Sequence, residues 1–413
     1  MKQITGIAGY TICSLILCSC GNTDSLPRHG FRTIIENEIP VAVSTGGPKY
    51  EGELFRYETL LTLKTDPDNP ESLLYRPYWI VQGPRGEYLV CDEGDRRIVA
   101  FDSEGQFIRS FGRRGSGPGE FQSIQLLDIT NGILTIFDSS LQRTTLFSST
   151  GELLGVYPVG ILERTDAMYV LDNGSQLCLR HMIDIRGEED WRAMRGLIIS
   201  SNGDTIASIE TPYVHRRMWL RRQYNVSYYV YFSSFPYIGY VPDKGLYVYD
   251  PSYPELCWFN GNGNPIYSYR IDLPRISPSP QDIALIKDDW SERASSDPSA
   301  EMVQQNLAFG DFVPFWNTVL IDADGYCWLS KYEPRSRKEE FGGTAFKVLS
   351  PAGEYLGDTR WPFVAFESDH VHRASIAGGL LMAIVPIAEG EEPATTIFRI
   401  TPIMDGLEYP QSQ

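Results

Sequence analysis

The chain has 413 residues, 36 Lys and Arg against 53 Asp and Glu, a formal charge of −17 and a hydrophobic share of 42%. That share supplies a large core and excludes a disordered chain or a bundle of membrane spans. The acidic surplus excludes nucleic acid as a main partner, because phosphate binding rests on excess Lys and Arg.

Lys2 and the mostly apolar run from Ile4 to Leu17 read as a secretory leader, too short for a spanning helix of about 20 apolar residues. The run ends in Leu17-Cys18-Ser19-Cys20-Gly21. Leu at −3, a small residue at −1 and then Cys resemble the bacterial lipobox, which implies cleavage after Ser19 and acylation of Cys20. An ordinary leader with a cysteine near its cleavage site is the alternative. The reading divides the chain into a signal peptide (1–19), a Gly-, Pro-, Ser- and Thr-rich tether (20–52) and a folded body (53–405). Its location is then the cell envelope, by a lipid anchor in the outer membrane.

Tyr57 to Leu63 has strand character. After it one phrase recurs: Gly86-Glu-Tyr-Leu-Val-Cys-Asp92, then Arg97 to Asp102, then Ser103-Glu-Gly105 leading into Gln106 to Phe111. It reads as strand, turn, strand, turn, strand, with alternating apolar residues and tight glycine turns. Further copies contain Gly132 to Asp138 with Gly151, Leu197 to Ala207 with Gly203, Lys244 to Asp250 with Gly263, Asp324 to Leu329 with Gly353, and a truncated copy at Leu380–Val385 and Thr396–Ile400. The turn glycines 105, 151, 203, 263 and 353 are spaced by 46, 52, 60 and 90 residues. The first spacings match the roughly 40–50 residues of a propeller blade. The long interval holds helix formers behind Ser, Pro and Asp starts, predicting a helical insertion around 279–310. Six copies predict an all-β, six-bladed β-propeller, its last blade completed by Tyr57–Leu63.

The first copy ends in Phe111-Gly-Arg-Arg-Gly-Ser-Gly-Pro-Gly-Glu-Phe121. This phrase after the Asp102–Phe111 strand resembles NHL-type repeats. With the lipobox it makes the chain similar to six-bladed propeller lipoproteins of Bacteroides-type bacteria. The resemblance implies the fold and an envelope location but no defined activity. Some NHL-like propellers are lyases with metal-binding channel histidines, and this chain has no repeated channel His.

Local chemistry is sparse. The glycine run lacks GK[ST] and a following helix pattern, so it reads as an inter-blade turn rather than a phosphate loop. Cys91, Cys178, Cys257 and Cys327 are scattered in apolar strands and read as buried thiols, although one disulfide is open to an exported chain. His370 and His372 could share one strand face with Asp369 or Glu367 around a metal, but strand-end histidines are commoner. Asp322-Ala-Asp324-Gly325 fits a hairpin turn better than a calcium loop. Hence no cofactor and no metal are expected.

One segment stands out: His215-Arg216-Arg217, Arg221-Arg222 and a Tyr-dense run containing Tyr228, Tyr229 and Tyr231. Tyrosine gives large contact area at small entropic cost and arginine pairs with carboxylates in a fork, so Arg216, Arg217, Arg221, Arg222, Tyr228, Tyr229 and Tyr231 are the candidate ligand-binding residues. Packing of these rings between blades is the structural alternative. The expected function is non-enzymatic recognition of a glycan, peptide or envelope protein. A lyase or hydrolase working in the channel, or a structural part of an outer-membrane assembly, are the competing readings.

Overall fold

A computed structural model describes residues 3–4, 29–130, 132–159, 165–186, 189–221, 226–233, 235–295, 298–333, 343–363, 374–385 and 394–411. Each copy of the repeat folds into an antiparallel sheet whose strands follow chain order from an inner to an outer position. Blade 1 comprises Pro77–Gln82, Tyr88–Asp92, Arg97–Phe101 and Phe107–Phe111, and blade 2 Ile124–Thr130, Ile133–Asp138, Arg143–Ser148 and Leu153–Pro158. Blade 3 is Ala167–Val170, Gln176–Arg186, Glu189–Ile199 and Thr205–Glu210; blade 4 is Tyr237–Val241, Gly245–Tyr249, Glu255–Phe259 and Pro265–Ile271. Blade 5 is Thr318–Ile321, Cys327–Ser330, Ala345–Leu349 and Tyr355–Arg360. Blade 6 takes Ala374–Ala377, Leu380–Val385 and Ala394–Pro402 from the end of the chain and Phe55–Thr62 from its start. The register of that closure pairs Tyr57 with Ile400 and Leu61 with Ile397, as the strand pattern of 57–63 predicts.

The hydrophobic cores lie between sheets. Leu89 and Cys91 of blade 1 pack with Leu134 and Ile136 of blade 2, and Phe137 of blade 2 with Leu177 of blade 3 and Ile238 of blade 4. Tyr247 and Trp258 of blade 4 meet Leu329 and Tyr355 of blade 5. Trp328 and Phe346 of blade 5 meet Ile376 and Leu381 of blade 6, whose Leu380 and Met382 join Ile80 and Val90 of blade 1. Every blade face is thus covered by a neighbour, and the ring closes. The repeated turn glycines make this approach close. At Gly353 (φ +86°) an added Cβ would lie 2.1 Å from Tyr269 in the preceding blade, and at Gly263 (φ +73°) 2.6 Å from Ala207.

Two findings differ from the tether reading of 20–52. Residues Gly30–Glu36 and Ile39–Thr45 form a hairpin, and Ile39–Thr45 pairs in parallel with the outer strand of blade 4. Val41, Ala42, Val43 and Ser44 are buried, Ala42 in the core between blades 4 and 5, and Arg270 clamps the hairpin by donating to both Glu36 oxygens at 2.9 and 2.8 Å while also bonding Glu255. The chain then runs along blade 5, where the Lys49, Tyr50 and Leu54 amides donate to carbonyls of Tyr355, Leu356 and Asp358. Residues 30–62 therefore form a belt around the outside of blades 4, 5 and 6. The physical reason is the alternation of β-branched and aromatic residues in 31–43, which fits a sheet edge despite the surrounding turn residues.

Strands alternate in direction, so the two ends of the ring differ. The turns from first to second strand in blades 1, 3, 4, 5 and 6 (83–87, 171–175, 242–244, 322–326 and 378–379) are all tight. The described residues of the longer connections, 112–123, 211–221, 226–233, 272–295, 298–317, 331–333 and 361–363, lie at the opposite end. The predicted insertion appears there as α1 (Pro280–Ala294) and α2 (Pro298–Gln304); Pro280 opens α1 behind an N-cap, Ser279 Oγ, that accepts from the Asp282 amide at 3.0 Å. A further hairpin, Val214–Arg221 with Val226–Tyr229, pairs with the projecting half of Glu189–Ile199. Among the described residues no helix is long and apolar enough to cross a membrane.

Candidate functional site

The aspartates that end the second strands are structural. Asp92 accepts from the amides of Arg76 and Gly94 at 2.8 and 3.2 Å. Asp138 accepts from Gln122, Ser140 and Leu141 at 2.6, 2.9 and 2.9 Å. Each carboxylate thus ties the chain entering the blade to the turn leaving its second strand. This explains the repeat's invariant-looking Asp without assigning it chemistry. Asp322 plays a comparable part in the Asp322–Gly325 turn. Its Oδ1 accepts the Asp324 and Tyr326 amides, and its Oδ2 accepts Trp328 Nε1 and Tyr409 OH, both at 3.0 Å. Burial pushes this carboxyl up to about 6. It is a hairpin turn that latches the C-terminal segment onto blade 5.

The candidate residues of the Arg/Tyr segment lie at the elaborated end of the ring. Arg216, Arg217 and Arg221 stand on Val214–Arg221, and Tyr228 and Tyr229 on Val226–Tyr229; the register pairs Arg217 with Tyr229 and Met218 with Tyr228. The side chains of these five, and Arg222 as a whole, lie outside the described residues, as do Cys20, His370 and His372. Tyr231 is described, and it is engaged within the protein. Its hydroxyl accepts from Trp290 Nε1 of α1 at 2.7 Å, its ring faces Phe309 at 5.9 Å, and its backbone bonds Ala308 and Gly310. Tyr231 thus fastens the end of the extra hairpin to the helical insertion.

At the same end, a cleft of about 370 Å³ opens at the outer edge of blade 5, between its last strand and the belt. Pro48, Tyr50, Glu53, Lys331, Asp358 and Arg360 line it. Its polar groups converge from four stretches of chain. Lys331 Nζ sits 2.5 Å from Asp358 Oδ2, and Lys347 Nζ 3.3 Å from Asp358 Oδ1. Lys347 also donates to the Tyr355 hydroxyl at 2.9 Å, which in turn donates to Asp358 at 2.5 Å. Arg360 is spent on a fork to Glu333 at 3.0 and 3.1 Å, while its amide donates to Glu53 Oε2 at 3.0 Å. Burial lowers the pKa of Lys347, with Asp358 opposing the shift. Burial would raise the Asp358 carboxyl, but the Lys347 and Lys331 ammonium groups outweigh it and hold it low. Two ammonium groups thus share one carboxylate in an open cleft whose remaining edge offers hydroxyls and a ring. No sequence motif announces this site, because Glu53, Lys331 and Asp358 are far apart in the chain.

The inner strands carry a second polar group. Tyr240 OH donates to Asp172 Oδ1 at 2.5 Å, and the Tyr240 ring meets Tyr169 at 6.0 Å. Asp128, on the inner strand of blade 2, is raised by burial although part of its surface stays open. Among the described residues no three His, Cys, Asp or Glu side chains are grouped to hold a metal. The four thiols are unpaired, and burial pushes Cys178 to about 11 and Cys257 to about 12.

A family model described as a 6-bladed beta-propeller, DUF5128, matches residues 54–172. A comparison with curated proteins gives no match. Among solved structures, the chain is similar to a protein of Bacteroides fragilis described as exported, at 12% identity and TM-score 0.48, covering 88% of this chain and 100% of that one. It is also similar to a member of the duf4221 family from Bacteroides vulgatus, at 11% identity and TM-score 0.41 over 85% and 99% of the two chains. A streptogramin B lyase matches at 10% identity and TM-score 0.41 over 84% and 98%. Likeness at this level bears on neither substrate nor activity. Together with the observed strand order, the matching family description makes the chain a six-bladed β-propeller.

Proposed function

We propose that the protein is an exported, Cys20-anchored recognition module that binds an acidic glycan in the blade 5 cleft. The observation that carries this reading is the pair Lys331 and Lys347 converging on the single carboxylate of Asp358 at the edge of an open cleft. A sugar carboxylate placed there gains a charge-assisted bond from Lys331, its hydroxyls find Glu53, and its ring face meets Tyr50. The strands that carry Arg216, Arg217, Arg221, Tyr228 and Tyr229 stand at the same end of the ring, and a longer ligand is proposed to reach them. Titration calorimetry with uronic-acid oligosaccharides and neutral counterparts tests this. Lys331→Met is expected to weaken acidic-sugar binding about tenfold or more, the worth of one hydrogen bond to a charged group. No binding by the folded wild-type chain, or equal binding of neutral sugars, refutes it; selective binding of acidic peptides would replace glycan with peptide.

An enzyme working in the channel has one observation in its favour, the raised carboxyl of Asp128 beside the tyrosine-lined inner strands of blades 3 and 4. Turnover abolished by Asp128→Asn, in a screen of lactone and glycoside substrates, would support that reading over recognition.

A further inference from the structure

We infer that the junction of blades 4 and 5, at Tyr253, Arg275, Ile276 and Phe312, rests on the lipid bilayer in which Cys20 is anchored. The inference rests on the anchoring part of the reading above and goes beyond it by assigning an orientation. Tyr253, Ile276 and Phe312 expose 40, 62 and 45% of their surface, a concentration of large apolar side chains at one place on the rim. They are contiguous. The Arg275 guanidinium lies 5.9 Å from the Tyr253 ring centre and 5.3 Å from that of Phe312, and the Val313 amide donates to Ile276 at 2.8 Å. Two aromatic rings and an isoleucine around one arginine are the side chains that settle at a headgroup boundary. The rings and the aliphatic group enter the acyl edge, and the arginine stem runs along them while its head reaches phosphate.

The course of the chain brings this patch to the membrane. Gly30 pairs with Thr45, and the neighbouring Ser44 carbonyl accepts from the Asp272 amide at 2.8 Å, three residues before Arg275. Those steps keep Gly30 within about 20 Å of the patch, whereas the ten links from Cys20 to Gly30 reach at most about 34 Å. A lipid on Cys20 therefore allows the blade 4–5 rim to reach the bilayer, and the patch is the apolar surface there. Because the Arg270 clamp fixes the hairpin to blade 4, the anchor position is transmitted to the ring as one body.

The test uses the mature lipidated chain carrying Ile276→Cys or, at the tight-turn end of blade 2, Ile133→Cys. Each is labelled with a nitrobenzoxadiazole dye, since the four native thiols of the ring are buried or nearly so. On vesicles of phosphatidylethanolamine and phosphatidylglycerol, the label at 276 is expected to shift to the blue and resist dithionite. The label at 133 stays as reducible as in solution. Cys20→Ser is expected to abolish the protection at 276. Equal exposure or equal protection at the two positions, in a chain whose acylation is verified by mass, overturns the orientation alone. An unmodified Cys20 overturns the anchor and the orientation together.

Discussion

Asp322 offers the sharpest test of how the ring is latched. Its carboxylate is buried and accepts Trp328 Nε1, Tyr409 OH and two amides, yet burial pushes its pKa from the usual 3.8 to about 6. Between those values the folded chain keeps a proton that the unfolded chain has released. Unfolding therefore liberates a proton and becomes easier as pH rises. At 1.36 kcal/mol per pH unit, this group subtracts about 3 kcal/mol between roughly pH 4 and pH 7, with no further loss above. Asp322→Asn removes the ionisation and keeps the shape. The stability of wild type relative to this variant should therefore fall by about 3 kcal/mol as pH rises across that window. Asp322→Ala leaves the indole N–H and the phenol buried without their acceptor, at about 1–3 kcal/mol each. Urea unfolding followed by tryptophan fluorescence at a series of pH values reads all three proteins. A wild-type-minus-Asn difference that does not change with pH refutes the buried-carboxylate argument, and an Ala variant as stable as wild type refutes the latch.

Other outcomes follow from the packing. Gly353→Ala forces a Cβ against Tyr269 at a positive φ, whereas Gly203→Ala, with a similar φ of +86° and open space around it, meets strain alone. The first should lower the melting temperature clearly more than the second, whose cost is about 1–2 kcal/mol. Arg270→Met frees Glu36 and Glu255 and should expose the 30–45 hairpin to limited proteolysis while the ring resists. The hydrogen bond from Arg270 holds the Glu36 carboxyl below its usual value, so this support is present at neutral pH and lost as the solution is acidified. Cys91, Cys178, Cys257 and Cys327 should fail to react with a thiol reagent in the native state and react together on unfolding; a fast-reacting native thiol would contradict their burial.

The ring was readable from the sequence because its signals are local and repeated. The turn glycines and the apolar alternation recur from blade to blade. The closing strand and the helical insertion were legible for the same reason: Tyr57–Leu63 has the two-residue period, and Ser279-Pro280 opens a helix. The belt was not. Phe31 to Val43 carries strand alternation, but its turn at Asn37-Glu38 takes positive φ at two residues that are not the usual Asn-Gly pair. Nor was the blade 5 cleft, since Glu53 and Asp358 become neighbours only when the belt lies beside the last strand of that blade. Tyr density around 224–237 was visible in the sequence. That Tyr231 is held by Trp290 depended on where an insertion some sixty residues later would dock.

The belt also dictates an order of events. Phe55–Thr62 precedes blades 1 to 5 in the chain, but its partner, Ala394–Pro402, follows them all. Until then the early segment has no mate, and the outer edges of blades 4 and 5 that it protects are themselves unmade. All five intervening blades must therefore be made before the circle can be sealed. Sealing is then a single late step that truncation before Ala394 would prevent, also taking the Tyr409 latch from blade 5.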